Sequence, residues 1–492
     1  MPLLTRKKVL TIDRNRITVL PTTLGAVAQA ENIVIDASAS VDVERIDRNF
    51  ALSTLSAVKD LAGQKAAEFT FGVEVKGSNG GTAEPEWSRI LDGCGFRGEA
   101  IRQCTVSGGS GTFRHGELLT FSAGSDTATC VMDTHEGETT IYFHSLLTTP
   151  ITASGTVTGQ DSGATATVTT VDSAAGYAWW PISSVVKQII FDVTGLTAAL
   201  TAGDLVEGVT SGARGVITED VSTSINTVIK YSPVRGTFTD GETMSRISAV
   251  IDLDIGALAT GTGESYDQFP ALGIRLFTDG KAITGNGCRG NVSFNFEVNR
   301  PVRMDFTFRG ALDSTTDAPL LTGIDYENSD PPLWETSAIG FARNETAAEA
   351  QLADEVEPCM TALSIDMGNQ NADRKCAGAA DGFLEVLTSQ RDGSGSMTVE
   401  DTLESDLGWL TRIQDNESVR LRLTVGSVAG NRFTFSMPGV QFTGHSEGDA
   451  DGIVTQDMAF RLTGGNLFDL AANNRLSATG GDNELVIIYH TN

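Results

Sequence analysis

The chain has 492 residues, 40% of them hydrophobic, so it is too long for one ordinary domain and too apolar to be disordered. Sixty-three acidic residues against 35 basic ones leave a formal charge of -28, which excludes phosphate-gripping nucleic-acid recognition, because that needs clustered Lys and Arg. The same acidic balance keeps a protein soluble, and it lets a surface face DNA without gripping it.

Gly is frequent and Pro scarce (53 against 13), and Thr, Ser and Val are common, a mixture that suits many short strands joined by tight turns. Cysteines at 94, 104, 130, 288, 359 and 376 form no CxxC pair, so they are expected to be scattered thiols in a reducing compartment. Arg6, Lys7 and Lys8 are followed by no apolar core of a secretory signal. No run reaches the ~20 apolar residues of a membrane span, so a soluble chain made in the cytoplasm is expected.

In chain order, residues 7–31 are expected as short strands or an extended arm, and 32–37 and 41–46 as the first firm strands. Residues 52–61 are expected as a helix or loop. Phe69, Phe71, Val73 and Val75 then alternate with Thr70, Gly72, Glu74 and Lys76, the period-two pattern of a half-buried strand. A loop of Gly77, Asn79, Gly80 and Gly81 follows. Glu84-Pro85-Glu86 opens a short helix with Trp87, Ile90 and Leu91 on one face, ended by Gly93 or Gly95.

This order, closing on Cys94-Gly95-Phe96, resembles the tail tube protein family of long-tailed bacteriophages. There a similar strand and loop lead into a helix carrying Pro-x-Trp and ending in Cys-Gly-Phe.

Between about 98 and 259 repetition appears. Three units each read as strand, turn and strand: 116–131, 155–168 with Ser162-Gly163-Ala164, and 203–217 with Ser211-Gly212-Ala213. Short hairpins must stack or close to hide their edges, so small β modules are expected. Trp179 and Trp180 read as packing residues, with an exposed glycan contact as the alternative.

From Ala271 the first pattern resumes, with a hairpin turn at Thr278-Asp279-Gly280-Lys281 and a glycine corner at Gly287-Cys288-Arg289-Gly290-Asn291. Val292, Phe294 and Phe296 alternate, then Met304, Phe306 and Phe308, ending in Phe308-Arg309-Gly310. This block is similar to a second signature of the same family, with Cys288 in place of an alanine. Residues 313–352 read as a linker or arm. Beyond them come strands near 363, 383–387, 419–425, 433–437, 453–462 and 485–489, and a helix over 403–413 carrying Leu407, Trp409 and Leu410.

The expected fold is therefore mainly β (α+β). A first tube-type sandwich spans 1–97 and 260–312, interrupted by β repeats over 98–259. The arm over 313–352 leads to a second sandwich over 353–492.

No residue set supports catalysis, so no catalytic, cofactor or metal residue is nominated. His115, His135 and His144 lack a metal-site spacing. Glu447, Asp449, Asp451 and Gly452 begin like a calcium loop, but Met458 holds the place of the bidentate Glu, so a tight acidic hairpin turn is expected.

The resemblance implies a structural virion protein: a tail tube subunit forming a trimeric, pseudo-hexameric ring, with six chains per ring as the alternative. Rings would stack around a channel for genome delivery, assembled in the host cytoplasm. The partners implied are further copies of the chain, tail tip and terminator proteins, and the tape measure protein and DNA inside the channel. The competing expectation is a receptor- or glycan-binding module built from the repeats.

Overall fold

The computed structural model describes residues 8–15, 29–31, 35–48, 59–78, 81–111, parts of 113–266, 271–320, 329–335, 339–343, 358–375, 377, 382–403, 408–416, 418–463 and 484–491. Among these, 70% are strand and 4% helix, so the chain is mainly β and its helical content shrinks to two short turns. The expectation for 52–58 lies outside the described residues.

The chain opens with β1 (Lys8–Asn15), β2 (Gln29–Glu31), β3 (Ile35–Ile46), β4 (Leu61–Glu74) and α1 (Ser88–Asp92). Helix α1 is shorter than the acidic opening suggests: Trp87 is its N-cap, Gly93 its C-cap, and Gly95 turns left-handed at φ 82° to lead out. Next come β5 (Phe96–Ser110), β6 (Leu118–Phe121), β7 (Asp126–Cys130), β8 (Thr140–Ser145), β9 (Gly155–Gly159), β10 (Thr165–Val168) and β11 (Ser173–Pro181). After them lie β12 (Lys187–Ile190), β13 (Leu205–Gly208), β14 (Arg214–Ile217), β15 (Val228–Arg235), β16 (Thr243–Ile247), β17 (Leu253–Ala257) and β18 (Ser265–Tyr266).

The three repeat units are not three modules. Strands β5, β8, β7, β6, β9 and β10 pair in that order, and β10 returns to β5, so the first two units share one closed six-stranded ring. Its interior holds Val106, Leu119, Phe121, Ile141, Phe143 and Val157. The third unit, β13–β14, belongs to a separate sheet ordered β17-β16-β13-β14-β15-β12-β18. Six of its strands repeat the order β7-β6-β9-β10-β5-β8. One hairpin has two open edges and too little apolar area to stand alone, which is why two units and two extra strands combine. Ala164 N and Ala213 N each donate to a serine hydroxyl two residues back (Ser162 and Ser211), both at 3.1 Å, so the two Ser-Gly-Ala turns share one geometry.

The remainder consists of β19 (Ala271–Thr278), β20 (Gly280–Glu297), β21 (Arg303–Ala318), β22 (Ile339–Arg343), β23 (Met360–Asp366), β24 (Asn369–Lys375), β25 (Phe383–Arg391) and β26 (Ser394–Glu400). It ends with α2 (Trp409–Gln414), β27 (Ser418–Val425), β28 (Arg432–Ala450), β29 (Ile453–Thr463) and β30 (Val486–His490). Helix α2 does not start at Leu403: Gly408 at φ 60° forces a left-handed entry, and Leu403 is exposed outside the helix. The expected glycine corner is a bulge inside β20, where the register shifts between Asn286 and Arg289 and Gly287 adopts φ 62°. Strand β21 continues to Ala318 and β22 pairs with β27, so these parts of the expected arm are built into the sheet.

Five antiparallel pairings recur. Strand β1 pairs with β19, β19 with β20, β20 with β21, β21 with β4 and β4 with β3. Likewise β22 pairs with β27, β27 with β28, β28 with β29, β29 with β26 and β26 with β23. The two sets join where Ser293–Glu297 of β20 run antiparallel to Ala362–Asp366 of β23. One apolar core spans both sets, from Phe69, Phe294 and Phe306 to Phe435, Phe442 and Phe460.

Strand β30 extends this body into the first ring: it pairs with β28 on one edge and with β11 on the other. Trp179 on β11 is fully buried in the main core, 5.0 Å from the Trp87 ring. That burial excludes Trp179 as an exposed sugar platform. Trp179→Ala is expected to cost ~3–5 kcal/mol by thermal or denaturant unfolding, the range for truncating a buried aromatic; a surface platform would leave stability unchanged.

Candidate functional site

Among the described residues no group of three His, Cys, Asp or Glu is placed to hold a metal. No described helix is long and apolar enough to cross a membrane. His115 and His135 lie outside the described residues, and His144 is on β8. Burial pushes the Cys94 thiol up and the Cys288 thiol to about 12, so both are neutral packing groups. The feature that stands out is a surface.

Strands β3, β4, β21, β20, β23, β26, β29 and β28 form one unbroken antiparallel ribbon. Alternation gives it two faces. The inner face carries Phe69, Phe71, Phe306, Phe308, Phe294, Ile365, Met397 and Phe460, all buried. Along one rung of the other face stand Gly72, Asp305, Ser293, Asp366, Ser394, Arg461 and Gln441, partners in register across seven strands.

This outer face is made of short polar side chains bonded to one another. Ser38 meets Thr70 at 2.6 Å, Ser364 meets Ser396 at 2.9 Å, and Thr398 donates to Asp457 at 2.6 Å. Asn291 donates to Asp366 at 2.6 Å and Asn295 to Asp305 at 2.9 Å. The acids Asp42, Glu68, Glu74, Glu297, Asp305, Asp366, Glu400 and Asp457 outnumber the bases Arg303, Arg309 and Arg461, so the face is acidic.

At one end of the face the β24–β25 hairpin folds back over the first strand set. Arg309 donates to Asp373 at 2.9 Å and to Asp42 at 3.1 Å, and also bonds Glu68. These contacts, the Asp373 bond first, hold the guanidinium still more firmly protonated. Burial alone would raise the Asp373 carboxyl, but Arg309, Gln64 and Lys375 together hold it below the usual range. Deeper in, Arg289 and Glu385 form a buried pair at 3.5 Å, with Arg374 on the other Glu385 oxygen at 2.7 Å.

Among the described residues the ribbon has two open ends. Strand β3 pairs with β4 along one edge; among the described residues its other edge meets no strand, only the Lys8 ammonium at the Ala37 carbonyl. Strand β28 pairs with β29 on one edge over Gly439–Ala450, but on the other edge its pairing with β27 stops at Gln441. The edge from Phe442 to Ala450 therefore has no described strand partner. Val41 on β3 and Ile453 and Val454 at the β28–β29 tip are large apolar residues exposed beside these ends.

Of the three acids near 449, Glu447 and Asp449 lie in β28 and Asp451 in the β28–β29 turn: Asp451 and Gly452 adopt φ 53° and 91°, and Gly452 N donates to Asp449 Oδ1 at 2.9 Å.

At the opposite end of the fold, the glycine loop after β4 is locked to the turn before β28. Gly77 N donates to Asn431 Oδ1 at 2.9 Å, Ser78 N to Tyr489 Oη at 3.2 Å, and Tyr489 Oη to the Gly430 carbonyl at 2.8 Å. Both tryptophan-bearing turns cap the core, Trp87 beside this lock at Phe433 and Trp409 farther along β28 at Phe442. Trp87 Nε1 donates to the Lys76 carbonyl at 2.7 Å, and the Trp409 ring stands edge-on to Phe442 at 5.9 Å. The His490 ring is buried, bonded through Nε2 to Thr434 at 2.8 Å, and burial with the nearby Arg432 charge lowers its pKa to about 3.

Sequence alternation located the apolar faces of β4, β20 and β21 but not the open edges, because an edge is defined by what lies beside a strand. Comparison with protein-family models and with characterised proteins finds no match for this chain.

Proposed function

We propose that this protein is a structural subunit whose eight-strand ribbon lines a channel in a ring-shaped assembly. The observation that carries the proposal is the ribbon itself: it has one buried face, one acidic hydroxyl-rich face and, among the described residues, two ends without a strand partner. A ribbon left open at both ends is an aggregation liability, whereas closure between copies removes every edge. An acidic channel wall repels a passing polyanion and gives it nothing to grip. Together with the resemblance of residues 66–96 and 271–310 to tail tube proteins, this favours a bacteriophage tail tube subunit.

On this reading the two recurring strand sets are two tube-type units, with the β5–β18 modules inserted within the first, between β4 and β19. Three chains then supply six units, a trimeric, pseudo-hexameric ring. The rings stack into a tube within the virion, with tail tip, terminator and tape measure proteins as partners and no catalytic step.

Electron microscopy of the concentrated protein is expected to show long hollow tubes or rings. Featureless monomers at every concentration would count against the proposal. A surface-binding role for the inserted modules is the weaker reading, since of its two candidates Trp179 is buried and Trp180 is partly buried against the cluster of Ile101, Ala178 and Ile488.

A further inference from the structure

We infer that the two open ends are complementary docking surfaces for a second copy of this chain, in a register written into the fold. The recurring pairings make the strands equivalent one by one, and sequence fixes the alignment. Phe306-x-Phe308-Arg309 on β21 matches Met458-x-Phe460-Arg461 on β29, and Phe71-x-Val73-Glu74 on β4 matches Met397-x-Val399-Glu400 on β26.

Within the chain, Ser293 of β20 pairs with Asp366 of β23. Ser293 faces Asp305 and Ser446 faces Asp457, and these acids are equivalent. Asp366 reaches Arg461 through Ser394, as Ser40 reaches Arg309 through Glu68. Ser446 of one copy therefore takes the place of Ser293, and Ser40 of the next takes the place of Asp366. The antiparallel register continues as Gly448 with Ser38. The joint is heterologous, head to tail, so it adds copies around an axis until the first and last meet.

The joint between copies differs from the internal one in its charge. The positions of Phe294 and Phe296, which are buried against Ile365 and Leu363, are held by Glu447 and Asp449. The receiving strand carries Asp36, Asp42 and Glu44, each ion-paired within the chain: Asp36 with Arg303 at 3.7 Å, Asp42 with Arg309 at 3.1 Å and Glu44 with Lys375 at 3.0 Å. Glu447 and Asp449 are exposed edge acids of the kind that protect strands from premature pairing, and with a net charge of -28 on each chain two copies repel one another. Added salt, which screens exposed charges beyond ~10 Å at 0.1 M, should therefore promote docking.

The channel reading supplies ring closure, but the docking pair can be tested apart from it. In a background with Cys130, Cys359 and Cys376 each changed to Ser, the full chain carrying Ser40→Cys and Ser446→Cys is oxidised with copper phenanthroline. Each disulfide joins one thiol from each copy and transfers two electrons to the oxidant. Covalent oligomers are expected from the double variant and no more than background dimer from either single variant. Equal oligomer yield from the single variants, or none from the double variant where light scattering shows association, overturns the assignment. Both serines are exposed, so folding is spared.

In the unmodified chain, sedimentation should show association rising ~10-fold or more from 0.05 to 0.5 M NaCl, and a fall with salt would contradict the charge argument. Rings in micrographs without these cross-links would sink this register and leave the channel reading intact. Cross-linked open strings without rings would do the reverse.

Discussion

Gly77→Ala is expected to unlock the two strand sets and lower stability by ~3 kcal/mol or more. A Cβ at Gly77 would overlap the Gly430 carbonyl oxygen and crowd Tyr489 Oη at 3.1 Å. Neither obstacle is the free end of a flexible side chain. The Gly430 carbonyl accepts from Tyr489, and Gly77 itself donates to Asn431. Making room therefore breaks buried hydrogen bonds as well as straining backbone, and each orphaned group adds ~1–3 kcal/mol. Gly109→Ala is the control, since the Cβ there meets only ordinary contacts, at 3.5 and 3.6 Å. Denaturant unfolding should show a large midpoint shift for Gly77→Ala and less than ~0.5 kcal/mol for Gly109→Ala. Equal shifts would mean that the glycine lock does not hold the two sets together.

Acid should loosen the same region through His490. The ring is neutral in the folded chain down to about 3, because burial and the Arg432 charge both oppose protonation. In the unfolded chain it takes a proton below its ordinary value of ~6.5. Above that value both states are neutral and the group costs nothing. As pH falls, the unfolded state gains a proton that the folded state refuses, so stability drops by up to ~1.4 kcal/mol per pH unit until the folded ring also titrates near 3. At pH 4.5 the loss is ~2–3 kcal/mol. His490→Gln removes this titration, so comparing pH 7 with pH 4.5, the variant should lose less stability than the parent by about that amount. Parallel pH profiles would contradict the account. Because β30 bridges β28 and β11, the first element to separate should be the contact between the main body and the six-stranded ring.

Local signals in the sequence carried much of this fold. The alternation at Phe69–Val75 and Val292–Phe296, the turn at Asp279-Gly280 and the Trp87 corner all depend on neighbours a few residues away. They emerged as β4, β20, the β19–β20 hairpin and α1. Leu403 and Leu407 continue the helical spacing of Leu410, so periodicity alone starts the second helix too early; the left-handed Gly408 that precedes α2 carries no periodicity.

The six-stranded ring was obscured because its closing strand, β5, reads as the continuation of the Cys94-Gly95-Phe96 corner. A signal for the second module was present: Gly111-Thr112-Phe113 with Gly116-Glu117 recurs as Gly236-Thr237-Phe238 with Gly241-Glu242. The outer face and the open edges depend on which strands lie side by side across hundreds of residues. Alternation says that a strand has two faces and is silent on its neighbours.

The central claim is that the acidic face of the ribbon lines a channel closed by copies of this chain. Cryo-electron microscopy of the assembled particle tests it most directly. The account predicts three chains per ring, with Ser293, Asp305, Thr398 and Asp457 facing the lumen and β28 of each chain beside β3 of the next. Six chains per ring, or a lumen lined by any other face of the sheet, would contradict it.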